Sequence, residues 1–277
     1  VVYLEIFNQN IAILGSGNIG SAIAKGFILS SMIKPEQIIL TRRNTKLLSA
    51  FEKKGCIVLN NNCEAVKKSE IIIIAVPPQQ IKGLLQEINF YLNPKKHIII
   101  SLVSGVTTNE ILRIIKKQIK VVRVMPNIAS AVRESMTCIA SDTASNETIE
   151  HTKKIFDYIG KTFIISEEQM VPATALGACG IAFFLRAIRA ASQGGIEIGF
   201  HSYEAIPMAA QTAKGAASLI INMDNHPEME IDKVTTPEGC TIAGLNEMEH
   251  QGFSSAMIKG ITTSADKATK LYKNNKE

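Results

Sequence analysis

Across 277 residues there is no C-x-x-C pair, and the five cysteines, Cys56, Cys63, Cys138, Cys179 and Cys240, are odd in number and far apart. This argues against a disulfide framework and a zinc site, and fits a reducing, cytoplasmic setting. The five histidines, at 97, 151, 201, 226 and 250, are equally scattered and lack metal-ligand spacing. Long blocks of one charge are also missing. Net charge is +5, yet the lysine pairs starting at 53, 67, 95, 116 and 153 stand alone. They read as solvated surface, so nucleic acid is not an expected partner, although a mild positive field helps gather anionic ligands. The opening VVYLEIFNQN has no cationic n-region, so no leader is expected. The longest apolar stretch of note, 170–185, is short for a spanning helix and rich in Gly and Ala, so no membrane span is expected either. Internal repeats and low-complexity segments are absent.

What remains is an ordinary globular composition with a clear change of pattern along the chain. Short β-branched runs recur at 11–14, 37–41, 56–59, 71–76, 97–103 and 121–125, with two more near 136–140 and 162–165. Helical patterns separate them at 18–31, 44–54, 62–69, 78–91, 107–118 and 146–158. Strands hydrophobic on both faces and alternating with helices predict an α/β domain built on a doubly wound parallel sheet. After about 167 no strand-like run recurs. ATALGACGIAFFLRAIRAASQGGIEIGF and the segments after it are dense in Ala and Gly at three- and four-residue spacing. They predict an all-helical second domain whose small residues allow close packing against a second copy. The expected division is 1–166, dinucleotide-binding, and 167–277, helical dimerisation and substrate domain.

Chemistry enters at LGSGNIGSAIAKGF. Gly15, Gly17 and Gly20 form G-x-G-x-x-G between a strand and a helix, the context in which that spacing cradles a pyrophosphate. The backbone of Gly15, Ser16, Gly17, Asn18, Ile19 and Gly20 is the expected contact, aided by the helix N-terminus. The second strand ends in Thr41, Arg42 and Arg43, where an NAD enzyme usually carries an acid. Two guanidiniums and no carboxylate suit a 2′-phosphate, so NADPH is expected over NADH. Two further loops end strands at the same edge. One is AVPPQQ, with Ala75, Val76 and Pro78 as candidate cofactor contacts. The other is VRVMPN, where Met125, Pro126 and Asn127 are placed to approach a nicotinamide.

These segments, with SLVSGVTTNEIL, AAQTAKGAASLI and VTTPEGCTIAGLNEMEHQGFSSAM, occur in an order that resembles the pyrroline-5-carboxylate reductase family. The likeness runs from Ile11 to about Lys270. It implies a Rossmann domain, interlocking homodimers that in many members build decamers, and reduction of a small cyclic imino acid to proline. It also implies that Thr241 hydrogen-bonds the pyrroline ring. Val234, Thr235, Thr236, Gly239, Cys240 and Thr241 match the loop that holds the substrate carboxylate. Asn62 matches the Asn that approaches the adenosine phosphate end of NADPH, and Cys179 stands where the family has a substrate-side Ser. Pro77 replaces a Lys, Ile181 a Pro, Phe183 a Tyr and Glu238 a Gly. Thr241 is read as a hydroxyl donor that helps deliver a proton, or alternatively as a helix N-cap. Cys179 and Cys240 are expected mainly to pack. Two rival readings stand beside this one. One is a β-hydroxyacid dehydrogenase or another imine reductase; the hydroxyacid enzymes would need a helical Lys, and the long helix after Gly180 has Arg186 and Arg189 instead. A degenerate reductase would bind nucleotide only to sense or scaffold.

Overall fold

The computed structural model describes residues 8–273. Residues 1–7, most of the segment searched for a leader, and 274–277 lie outside the described residues, as do the outer ends of both expected domains. Eight strands form one sheet: β1 Ile11–Leu14, β2 Ile38–Thr41, β3 Ile57–Leu59, β4 Ile71–Ile74, β5 Ile98–Ser101, β6 Lys120–Met125, β7 Ser135–Ala140 and β8 Gly160–Ile164. Their spatial order is β3-β2-β1-β4-β5-β6-β7-β8. The order reverses between β1 and β4, which creates the crevice where doubly wound sheets bind ligands. Helices α1 Asn18–Ser30, α2 Ser49–Glu52, α3 Asn62–Lys67, α4 Pro78–Ile88, α5 Thr108–Ile115 and α6 Asn146–Asp157 connect the strands.

The isoleucine runs explain the sheet. In β1, β2, β4 and β5 every residue is buried, so these strands need no polar alternation. Successive side chains point to opposite faces. Ile11 and Ile13 join a core with Phe27 and Phe156, while Ala12 and Leu14 join another with Leu84 and Leu85. One expectation changes. β6 and β7 run antiparallel, and β7 and β8 run parallel again. The link across 126–134 holds only a short 3-10 turn, Ile128–Val132, too little chain for a crossover, so the strand doubles back. Helix α6 provides the crossover that restores the parallel direction.

The chain divides into two compact units. The first holds the sheet up to Cys179, together with the end of the last helix from Ser264; the second is Gly180–Thr263. Approaching the division come α7, Met170–Ala173, and a π-helical turn, Thr174–Cys179. The remaining elements are α8 Gly180–Glu197, α9 Ser202–Met223, α10 Pro227–Val234, α11 Cys240–His250 and α12 Phe253–Lys273. In α8 to α11 only Gly180, Ser192 and Ala205 are buried. α8 and α9 meet through small residues, Gly195 against Ala205. Phe184, Ile198, Tyr203 and Ile221 are each more than 60% exposed. Large apolar side chains left this exposed on and between α8 and α9 fit an interaction face. The helical run Glu167–Glu197 is 31 residues long and holds an 18-residue window of mean hydropathy 1.7, long and apolar enough by length and composition to cross a membrane. The run is thus longer than the 170–185 stretch read from the sequence, so length alone does not argue against a span.

Candidate active site

Gly15 follows β1 with φ +92. A Cβ there would lie 2.7 Å from Val76 Cγ1 and 2.8 Å from the Ala75 carbonyl oxygen, so the residues after β4 press directly on the turn. At Gly20 a Cβ would come within 3.0 Å of the Gly15 oxygen and 3.1 Å of Ile13, so bare backbone is what lets α1 lie against β1. Gly17 is different: nothing stands within 4 Å of where its Cβ would be. It is also the N-cap of α1 and provides no side-chain cap, and the first turn carries no acid. The N–H groups of Asn18 and Ile19 face the N-terminal end of a 13-residue helix, with open space beside Gly17. These features fit a dinucleotide pyrophosphate.

The end of β2 is tied to the same loop. Ser16 N–H donates to the Thr41 carbonyl at 2.8 Å, and Gly15 N–H to Thr41 Oγ1 at 3.3 Å. Thr41 Oγ1 in turn donates to Asn62 Oδ1 at 2.7 Å. Arg42 Nη1 donates to the Ser16 carbonyl at 3.1 Å, while Arg43 is exposed. Thr41, Arg42 and Asn62 thus gather on one side of the glycine loop. Asn61 caps α3, leaving Asn62 as its first residue. The Asn62 amide is oriented by Glu87 on α4, whose carboxylate oxygens accept from Nδ2 at 3.3 and 3.2 Å. Glu87 was not singled out from sequence, because on the polar face of an amphipathic helix it gives no local signal. Beside it, partial burial and then the Glu87 charge push the Cys63 thiol up.

After β4, Pro77 is the N-cap of α4 and Pro78 its first residue, with Ala75 and Val76 half-buried against the glycine loop. After β6, Met125 packs with Ala140 and Met170, and Pro126 is buried. Asn127 is 6% exposed, and both ends of its amide are engaged. Oδ1 accepts from Ala129 N–H at 3.0 Å, and Nδ2 donates to the Gly177 carbonyl at 3.1 Å. The residue that sequence placed near a nicotinamide thus fixes its own loop and the π turn that ends in Cys179.

The Val234–Thr241 segment belongs to the second unit. Val234 ends α10, and Thr235 Oγ1 donates back to the Asp232 carbonyl at 3.1 Å. Gly239 N–H closes a turn onto the Thr236 carbonyl at 2.9 Å. Inside this turn Glu238 has φ +60, the left-handed region that favours glycine. Gly239 is the N-cap of α11, and Thr241 is the helix's second residue. The N-cap alternative for Thr241 therefore falls. Cys240 and Thr241 are exposed and the helix start has no side-chain cap.

Sheet order, glycine loop and strand-end loops define a dinucleotide-binding oxidoreductase fold. Residues 10–105 match the family described as NADP oxidoreductase coenzyme F420-dependent, and residues 167–271 match pyrroline-5-carboxylate reductase dimerisation. Pyrroline-5-carboxylate reductase 2 of Dictyostelium discoideum is 50% identical over 95% of this chain and 93% of its own. Pyrroline-5-carboxylate reductase 1 of the same organism is 51% identical over 97% of this chain, which spans only 51% of that longer protein. The solved Plasmodium falciparum pyrroline carboxylate reductase with NADP bound superposes with a TM-score of 0.85 at 24% identity, covering 96% of this chain and 98% of that one. The chain belongs to the pyrroline-5-carboxylate reductase family.

Proposed function

We propose that the chain reduces 1-pyrroline-5-carboxylate to proline with NADPH, the closing step of proline biosynthesis. The observation that carries this reading is a likeness of 50% along 95% of the chain to a reductase of that name. An uncapped glycine loop and an uncapped α11 supply complementary anion sites for the two reactants. When bound there, a reduced nicotinamide would supply the hydride taken up by the imine carbon. The residues bind, orient and shield. Gly15 to Gly20 hold the pyrophosphate on the α1 N-terminus, and Arg42 and Arg43 pair with the 2′-phosphate. Asn62 and Thr41 fix the adenosine side. Ala75, Val76, Pro78, Met125, Pro126 and Asn127 shape the strand-end crevice for the nicotinamide.

On the substrate side, Thr235, Thr236 and the free N–H groups at the start of α11 hold the carboxylate, and Thr241 Oγ1 accepts from the ring N–H. Bound as the iminium, the ring nitrogen already carries its proton, so the products are a secondary amine and oxidised cofactor. Positioning then carries most of the rate.

Two copies cover each other's exposed helical faces, and higher homo-oligomers, decamers among them, extend that contact. Arg186 and Arg189 within the long apolar run favour a protein partner over lipid. The five free cysteines fit a cytoplasmic location. Oxidation of NADPH and of NADH, each followed with 1-pyrroline-5-carboxylate, tests the reading. The expected result is turnover with a lower KM for NADPH. Equal or better use of NADH overturns the cofactor assignment, and nucleotide binding without turnover favours the sensor or scaffold reading.

A further inference from the structure

Arg123 is a charged residue in the buried part of β6, with apolar Val121, Val122, Val124 and Met125 on either side, and the reaction as described makes no use of it. Its side chain is 3% exposed and Nη1 lies 3.3 Å from Glu167 Oε2, itself on a side chain 7% exposed. The other oxygen, Glu167 Oε1, accepts from Thr108 N–H at 3.1 Å, at the first residue of α5. In the sheet Arg123 stands opposite Ser101, the last residue of β5. One carboxylate therefore joins the loop leaving β5, the strand that delivers Met125, Pro126 and Asn127, and the segment leading to the helical unit. Two further ties hold that segment to the end of β6. Met170 packs on Met125, and the Gly177 carbonyl accepts from Asn127.

We propose that Glu167 is a positioning residue for hydride transfer, fixing the β6 loop against the β5 loop through its two simultaneous bonds. The proposal rests on the reductase reading above. A carboxylate that only braced the fold would change stability; one that sets the crevice changes the chemical step. The β6 loop lies on the nicotinamide side of the crevice, whereas Arg42, Thr41 and Asn62 bind the other end of the cofactor. Loosening Glu167 should therefore spare cofactor affinity and slow turnover.

The test measures NADPH affinity by fluorescence titration, thermal midpoint, and kcat and KM with 1-pyrroline-5-carboxylate. Three variants are compared with the wild-type protein. Glu167→Gln keeps the size but cannot satisfy a guanidinium and an N–H together. Because removing one charge of a buried pair threatens folding, Thr108→Pro is the second. Proline is tolerated at the first helical position and deletes the N–H, but it also replaces the buried Thr108 side chain, so its thermal midpoint is read beside its kcat. Glu167→Asp tests rescue by charge. The expected result is a tenfold or greater fall in kcat for Glu167→Gln and at least threefold for Thr108→Pro. NADPH affinity should stay within threefold, and Glu167→Asp should recover at least half the loss on a logarithmic scale. Folded variants with kcat within twofold of wild type overturn the proposal, as does a kcat loss matched by an equal loss of NADPH affinity. A wild-type protein that fails to reduce the imine overturns the reductase reading and this proposal with it. Wild-type turnover beside unaffected variants overturns this proposal alone.

Discussion

Arg42 reaches from the end of β2 to the Ser16 carbonyl, 3.1 Å away, so a guanidinium rests on the glycine loop itself. On the proposed reading, a forked cation there would meet the 2′-phosphate of NADPH, a group that NADH lacks. Arg42→Ala is expected to weaken NADPH about tenfold, roughly 1.4 kcal/mol, and to leave NADH within twofold. Parallel titrations of the two nucleotides check this. Equal losses would mean that Arg42 serves only the shape of the loop.

The glycines separate folding from binding. Gly17→Ala adds a methyl where nothing lies within 4 Å. Its thermal midpoint should match wild type, while NADPH affinity falls at least tenfold. Gly15→Ala has φ +92 and meets the Ala75 carbonyl, so it should lose roughly 1–3 kcal/mol of stability. Denaturant unfolding and NADPH titration of both variants distinguish the two effects.

Glu238 pays for its left-handed backbone in the turn before α11. Glu238→Gly should gain about 1 kcal/mol in unfolding free energy. It also removes a negative charge beside the loop proposed for the substrate carboxylate, so KM for 1-pyrroline-5-carboxylate should fall. A destabilised Glu238→Gly would show that this backbone conformation carries no strain.

Burial, and then the neighbouring Lys96 charge, push the His97 ring down from its ordinary 6.5. Its Nδ1 accepts from Asn93 N–H at 3.0 Å, so the folded ring is neutral. Unfolded chains then bind more protons as pH falls. The stability contributed by His97 is present above about 6.5 and is lost progressively below it. His151 is shifted in the same direction, mainly by burial. His97→Asn retains an acceptor and should show a shallower fall in thermal midpoint from neutral pH to pH ~5. Parallel curves for the two proteins would exclude His97 as a source of the slope.

Much of this architecture is legible in the chain. The isoleucine runs are buried on both faces, so composition alone locates β1, β2, β4 and β5, and the glycine spacing marks the loop between β1 and α1. The direction of β7 is less visible, because it depends on how little chain separates it from β6. Long-range pairings were hidden as well. Arg123 and Glu167 stand 44 residues apart, and the only local hint is a charge inside VVRVM. Asn127 has the right chemistry for a cofactor amide, but its partners Ala129 and Gly177 emerge only once the π turn is folded. Thr241 carried a helix N-cap as its alternative reading until Gly239 took that position.

Thr241 is where the central claim is most exposed. The decisive measurement is kcat/KM for 1-pyrroline-5-carboxylate at saturating NADPH, in the wild-type protein and in Thr241→Ala. The side chain is exposed and caps nothing, so the variant should fold as wild type does. The account predicts proline formation by the wild-type protein and at least a tenfold loss in the variant, about 1.4 kcal/mol of transition-state stabilisation, with NADPH affinity unchanged. Wild-type binding of NADPH without proline formation, or a variant as active as wild type, would contradict it.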